Sequence, residues 1–280
     1  MSSSQGNLDQ KTVEGFGHEW TTFRQGDELP AEERSEIFAD YFGIFPWSKL
    51  PGDAVGIDVG CGSGRWALLV ASRVKHLHTL DASPMALETA RKNLAELANV
   101  SFHAASVDAI PLPDASLDFA YSLGVLHHVP DTAGAIRDIA RKLKPGAPFL
   151  VYLYYAFENR PLWYRAIWRA SNSVRLVVSR LPRAMRLGIS QVIAVVVYWP
   201  LARAARTLDK AGRLPESWPL AYYRDKSFYV LRTDAFDRFC TRIEQRFTRA
   251  QIEAMLTAAG FTNVRFSESE PYWCAVATKT

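Results

Sequence analysis

Between Ala54 and Tyr155 the chain alternates short apolar runs with longer amphipathic ones. The short runs are "AVGIDVG", "LHTLD", "NVSFHAA", "LDFAYSLG" and "APFLVYLYY". They are apolar almost throughout, not at every second residue, so both faces of each strand need cover. Between them lie "GRWALLVASRV", "SPMALETARKNLAELA" and "DTAGAIRDIARKLK", which read as helices. Ser83 is placed to cap the second of these, with Pro84 at its first position, and Pro145–Gly146 stops the third. Strands alternating with helices give an α/β fold with a parallel sheet covered on both faces. Near the C-terminus "TRAQIEAMLTAAGFTNVRFSES" adds a helix and a strand, and "YWCAVATK" a last strand, for about seven in all. Thr248 with Gln251 fits a capping box, and Gly260 fits a helix terminator.

Residues 51–155 and 236–280 therefore form the predicted core. Residues 1–50 read as a helical cap, since "AEERSEIFADYFGIF" spaces Ile37, Phe38, Tyr41 and Phe42 as a helix does. Residues 156–235 interrupt the core and are predicted to be a helical insertion. Its charge is distinctive. Between Ala156 and Arg213 stand eleven basic residues and two acidic ones, a net +9 in a chain whose total is +4. The remainder is therefore acidic, at −5. Cys61, Cys240 and Cys274 are far apart and form neither a CxxC pair nor a zinc spacing, so free thiols in a reducing, cytoplasmic setting are expected and no metal. The polar stretch from Met1 to Asp9 lacks the order of a signal peptide.

The most specific motif is "VGIDVGCGSGRWA". A strand ends at Val59, glycines follow at 60, 62 and 64, and a helix begins near Arg65. Glycines let the backbone turn tightly and approach a ligand, and the helix start adds free N–H groups. A dinucleotide fingerprint needs a glycine where Arg65 stands, and a P-loop needs Lys-Ser/Thr after its last glycine. Neither fits. Asp58 beside the loop would repel a phosphate and welcome a cationic group. Asp81 closes the second strand, the station of an acid that grips ribose hydroxyls. Asp108 follows the third strand, placed to accept from an exocyclic amine.

The chain here resembles the class I S-adenosylmethionine-dependent methyltransferases, with a type 11 methyltransferase core. The matching pieces are "DVGCGSG", "TLDAS", "VDAIPLPDASLDFAYS", "LGVLHHVPD" and "RKLKPGAPFLVYLY". The resemblance implies a Rossmann-like, mostly parallel seven-stranded sheet with its last strand antiparallel. It implies S-adenosyl-L-methionine as cofactor and S-adenosyl-L-homocysteine as product. Gly60, Cys61, Gly62 and Gly64 would border the amino-acid part of the cofactor, with Asp58 near its ammonium. Asp81 and Ala82 would take the ribose, Ser106, Val107 and Asp108 the adenine, and Leu123 the methionine moiety. Trp20 lies in "EGFGHEWTTFRQ", a segment expected to fold over the cofactor as a lid.

His127 and His128 are candidates for a base, and Tyr154 for acceptor positioning. The alternative is that the "LHH" turn only shapes the cofactor wall. Tyr152 and Tyr155 end the fifth strand, where ligands of open α/β sheets bind. Period two sends Tyr152 and Tyr154 to one face and Tyr155 to the other. Arg224, Tyr229 and Arg232 are candidate acceptor contacts in the insertion.

Within the insertion, "PLWYRAIWRASNSVRLVVSRL" places Trp163, Ile167, Val174, Val177, Val178 and Leu181 on one helical face and Arg165, Arg169 and Arg180 opposite. Leu187 to Ala202 carries no charge. As a helix this stretch spans roughly 24 Å, short of a hydrocarbon core of ~30 Å, and Pro200 is expected to break it. A substrate lid, a homodimer surface or a peripheral contact with the inner membrane surface remain open. The expected activity is methyl transfer to an O or N atom, less so C, of a small-molecule, sugar or lipid-linked acceptor. Rival readings are a nucleic-acid methyltransferase and a non-catalytic cofactor-binding scaffold or regulatory protein. Nucleic acid is not an expected partner, because no N/D-P-P-Y/F tetrad ends the fourth strand, which reads "SLGVLH".

Overall fold

A computed structural model of the chain describes residues 6–24 and 28–280. The expected cap thus lies partly outside the described residues. Two helices precede the sheet, α1 (Gln10–Thr22) and α2 (Ala31–Phe42). The alternating part follows: β1 (Val55–Val59), α3 (Ala67–Val70), β2 (His76–Asp81), α4 (Pro84–Asn93) and β3 (Val100–Ala104). It continues with β4 (Phe119–Leu123), α5 (Thr132–Lys142) and β5 (Pro148–Tyr152). Four helices come next: α6 (Leu162–Val178), α7 (Arg183–Ile193), α8 (Trp199–Lys210) and α9 (Phe228–Cys240). The chain ends with α10 (Arg249–Ala258), β6 (Phe261–Phe266) and β7 (Cys274–Lys279).

The strands form one sheet in the order β3-β2-β1-β4-β5-β7-β6. β1 to β5 pair in parallel, and β7 runs antiparallel to both β5 and β6. The order reverses between β1 and β4, so the loops after these strands diverge and leave a crevice, the usual ligand station of such sheets. The core is apolar on both sheet faces. Ile57, Val59, Phe149 and Val151 pack with Ile136 and Ile139 of α5 and Ile252 and Leu256 of α10. The cap at Thr248 is reciprocal, as the spacing to Gln251 required.

Two expected helices are shorter than their sequence runs. α3 tightens into a 3-10 turn at Ala71–Arg73, because Lys75 N–H already donates to Ala54 O at 3.0 Å to launch β2. α4 ends at Asn93, where Leu94 turns inward against Gly64.

The chain divides into two compact units. The first holds the described residues up to 24, together with 34–156 and 243–280; the second holds 28–33 and 157–242. An insertion ending at 235 would cut α9 in two, because Phe236, Phe239 and Cys240 are buried on that helix. Part of the expected N-terminal cap, residues 28–33, also groups with the second unit.

Within the second unit the expected break at Pro200 does not occur. Arg183 to Lys210 is a continuous helical run of 28 residues. Ala194–Tyr198 widens to a π-helix just before the proline. Proline lacks the N–H for the usual bond and its ring crowds the preceding turn, and a wider turn relieves both. The run is about 42 Å long, so the shortness expected of Leu187–Ala202 does not describe the helix itself.

Much of the predicted apolar stripe faces outward, although Val178 on it is buried and Arg169 and Arg180 are exposed as well. On α6, Trp163, Ile167, Val174 and Val177 are exposed, whereas Arg175 is 5% exposed. The Arg175 guanidinium donates to the Thr241 and Arg242 carbonyls at 2.9 and 3.0 Å and to Asn172 Oδ1 at 2.8 Å. On the long helix Met185, Val192 and Val196 are exposed, while Ser190 is fully buried. Gln191 on the half-buried side accepts from Arg232 of α9. α6 and α7 both pack against α9.

Candidate cofactor site

The glycine loop follows β1 as its sequence required. Gly60, Gly62 and Gly64 all have positive φ, at 80°, 54° and 79°. An L side chain would be strained at each, and a Cβ on Gly62 would approach the Trp20 indole at 2.8 Å. The loop spends its N–H groups internally. Gly60 and Cys61 donate to Leu80 O at 2.7 and 3.0 Å, and Gly64 donates to Cys61 O at 2.8 Å. Such a loop does not present a nest of amides to a phosphate, which agrees with the missing P-loop residues.

Asp81 is placed across from the loop by the parallel pairing of β1 and β2. Its two carboxylate oxygens accept from Gly62 N–H at 3.0 Å and Ser83 N–H at 2.8 Å. Burial pushes its carboxyl up, and those two amides pull it back. Asp58 sits one strand away and is 2% exposed. Tyr121, its register partner on β4, donates its hydroxyl to Asp58 at 2.9 Å. Burial raises the Asp58 carboxyl to about 8, against the lowering effect of Tyr121. Tyr121 was missed in the sequence, where it reads as one more core aromatic of "FAYS".

The other expected cofactor residues gather around the same strand ends. Ala82 follows Asp81, Leu123 ends β4, and Cys61 lies within the loop, its thiol pushed well up by burial. Ser106 and Val107 lead into a 3-10 turn that carries Asp108. Asp108 is exposed, and hydrogen bonds led by that from Ser106 hold its carboxyl low. One of its oxygens already accepts from the Asn7 N–H at 2.8 Å. Asn7 also exchanges bonds with the Asp131 backbone, at 2.6 and 2.8 Å. Nothing in the polar N-terminal sequence signalled this docking. α1 reaches the site twice: Trp20 lies against Gly62, and Gly17 lies against Ser83 and Met85. Arg65 stacks over Trp66 with its guanidinium carbon 4.3 Å from the ring.

His127 is fully buried, and neither ring nitrogen has a hydrogen-bond partner among the described residues. Its ring stacks on Tyr154 at 3.8 Å and lies 4.0 Å from His128. Burial, with the charges of His128 and Arg246, keeps this imidazole neutral. His128 Nδ1 bonds the Ile243 carbonyl at 2.6 Å, and the His128 ring meets Phe16 at 4.9 Å. The turn is held by Gln245, whose N–H donates to His127 O at 2.9 Å and whose side chain donates to Val129 O at 2.7 Å. Gln245 lies outside every sequence motif. Tyr152 and Tyr154 meet at 5.8 Å, and Tyr155 turns instead to Tyr272 and Trp273.

The three insertion candidates belong to the second unit and hold partners there. Arg224 pairs with Asp209 at 3.1 Å and Asp225 at 3.6 Å. Tyr229 donates to Glu28 at 3.1 Å, and Arg232 bonds Gln191. Among the described residues no group of three or more His, Cys, Asp or Glu side chains is arranged to hold a metal ion.

The residues present have the chemistry to hold a ligand that carries a cationic group and hydroxyls, as S-adenosylmethionine does. The glycine loop lies beside the buried Asp58 and the half-buried Asp81, and the buried Ser63 Oγ has no hydrogen-bond partner among the described residues. Strand order, switch point and glycine loop together define a Rossmann-like methyltransferase fold. Comparison with known proteins agrees. Residues 57–151 match the family described as the methyltransferase domain. An uncharacterized methyltransferase, YcgJ of Bacillus subtilis, is 32% identical over 105 residues, 37% of this chain and 42% of that protein. The ubiquinone biosynthesis O-methyltransferase of Hahella chejuensis is 30% identical over 152 residues, 54% of this chain and 60% of that protein. The chain thus spans less than two thirds of either relative. Among solved structures, a Methanococcus maripaludis protein described as an S-adenosyl-L-methionine-dependent methyltransferase superposes with a TM-score of 0.51 at 17% identity. That match covers 100% of this chain and 97% of that one and shows the shared fold. The core of this chain, over residues 57–151, is thus similar to methyltransferase domains and shares their Rossmann-like fold.

Proposed function

We propose that the protein is an S-adenosylmethionine-dependent methyltransferase acting on an O or N atom of a small-molecule, sugar or lipid-linked acceptor. The observation that carries this reading is a pair of carboxyls, the buried Asp58 and the half-buried Asp81, beside a positive-φ glycine loop at the ends of the parallel strands. When bound, the cofactor supplies an electrophilic methyl on a sulfonium, so the protein's task is alignment and exclusion of water. Asp81 is fixed by Gly62 and Ser83 to receive hydroxyl donors of a ribose. Asp58, held near neutral charge by burial, ionises when a ligand ammonium approaches, and Tyr121 steadies the anion. Asp108, with Ser106 and Val107, is assigned the adenine edge, where its bond to Asn7 is exchanged for an amine donor. Trp20 on α1 closes over the loop.

His127 is assigned to the wall and not to proton transfer. It is wholly enclosed and neutral, and a base must reach the proton it takes. Tyr152 and Tyr154 are the nearest aromatic hydroxyls at the strand ends and are assigned to acceptor positioning. The O-methyltransferase names of some relatives favour an oxygen acceptor.

The test is transfer of labelled methyl from S-adenosylmethionine in extracts, with fractionation of the label. Label in the small-molecule or lipid-extractable fraction, lost with Asp81→Ala, supports the reading. Label confined to the nucleic-acid fraction overturns the acceptor class, and no Asp81-dependent label in any fraction overturns the activity.

A further inference from the structure

The exposed large apolar side chains identified on this molecule, from Leu162 to Trp199, all lie in the second unit on two helical stretches. Trp163, Ile167, Val174 and Val177 repeat at three, four and seven residues along α6. Met185, Val192, Val196 and Trp199 do the same along the Arg183–Lys210 helix, where only 17% of the most apolar window is buried. Soluble proteins rarely leave contiguous apolar surface of this extent facing water unless something covers it.

Three occupants differ in chemistry. A bilayer crossing would require the long helix to leave α9. Gln191 and Arg186 on its inner side would then lose their partners on α9 inside hydrocarbon. A second copy would bring the same net +9 segment against itself across a two-fold axis. An anionic lipid surface satisfies both features. Its acyl boundary takes the valines and isoleucine, and its negative surface potential attracts the exposed Arg169, Arg180, Arg183 and Lys210. Trp163 and Trp199 lie at stripe ends, and indoles favour the headgroup level.

We propose that α6 and the Arg183–Lys210 helix form a membrane-docking face that lies in the plane of an anionic bilayer without crossing it. This stands apart from the assignment of methyl transfer. The experiment is flotation of the full chain with phosphatidylcholine vesicles and with vesicles enriched in phosphatidylglycerol. The chain floats with the anionic vesicles, much less with the neutral ones, and is released by alkaline carbonate. Raised salt weakens the binding, since exposed charges are screened. Val192→Asp with Val196→Asp lowers anionic-vesicle binding at least about tenfold, while the thermal transition of the free chain is kept. Arg169→Glu, off the apolar stripe, also lowers it.

Four results overturn the proposal. The wild-type chain fails to float with either vesicle. It stays membrane-bound through carbonate, which indicates a crossing. The folded double variant floats as the wild type does. Light scattering shows a dimer that the double variant dissolves and that does not bind vesicles, which makes the face a copy-to-copy interface.

Discussion

At the scale of single residues, the buried Asp58 and the enclosed His127 make distinct predictions. Asp58 is raised from 3.8 to about 8 in the folded chain. A raised carboxyl means the folded state holds a proton that the unfolded state has released between those two values. Stability therefore falls as pH rises from about 4 to about 8 and is level above. Asp58→Asn stays neutral and still accepts from Tyr121. Its melting temperature should match wild type near pH 4, exceed it increasingly toward pH 8, and keep a constant advantage beyond. A pH-independent difference would contradict the raised carboxyl. His127 keeps two buried nitrogens without partners, each costing about 1–3 kcal/mol. His127→Phe should therefore raise thermal stability and leave S-adenosylmethionine affinity within about threefold. A loss of methyl transfer with a changed pH profile would instead restore His127 as a base.

At the scale of elements, what the sequence revealed depended on how local the determinant was. Ser83 and Thr248 sit at their helix starts because capping needs only a side chain and amides two or three residues on. Thr248→Ala should cost about 1 kcal/mol in denaturant unfolding, and Thr248→Ser should restore most of it. The glycine loop and Asp81 were legible for the same reason, since strand, turn and helix follow in order. Tyr121 and Gln245 were not, because their roles come from strand register and from a segment more than a hundred residues away. The insertion shows the opposite failure. Periodicity located the apolar stripe of α6 correctly, but the usual inference that such a stripe points inward was reversed. The interior of that unit combines buried apolar side chains, among them Val178, Tyr198, Leu231 and Phe236, with the hydrogen bonds of Arg175 and Gln191. Pro200 misled because a π-turn, invisible to composition, absorbs it.

At the scale of the whole molecule, the chain joins a core of methyltransferase-like fold with a basic helical unit that exposes apolar stripes. In the proposed cofactor site, Asp58 on β1 borders the switch point, Asp81 ends the neighbouring β2, and three positive-φ glycines form the loop beside them. All of the proposed chemistry depends on that cradle accepting S-adenosylmethionine. The most direct measurement is titration calorimetry of the purified full chain with S-adenosylmethionine and S-adenosylhomocysteine, beside Asp81→Ala. One site per chain is expected in the wild type, with affinity at least about tenfold weaker in the variant because it loses charge-assisted hydrogen bonds. No heat and no thermal shift in a folded wild-type chain, or equal binding by Asp81→Ala, would contradict the cofactor site drawn here.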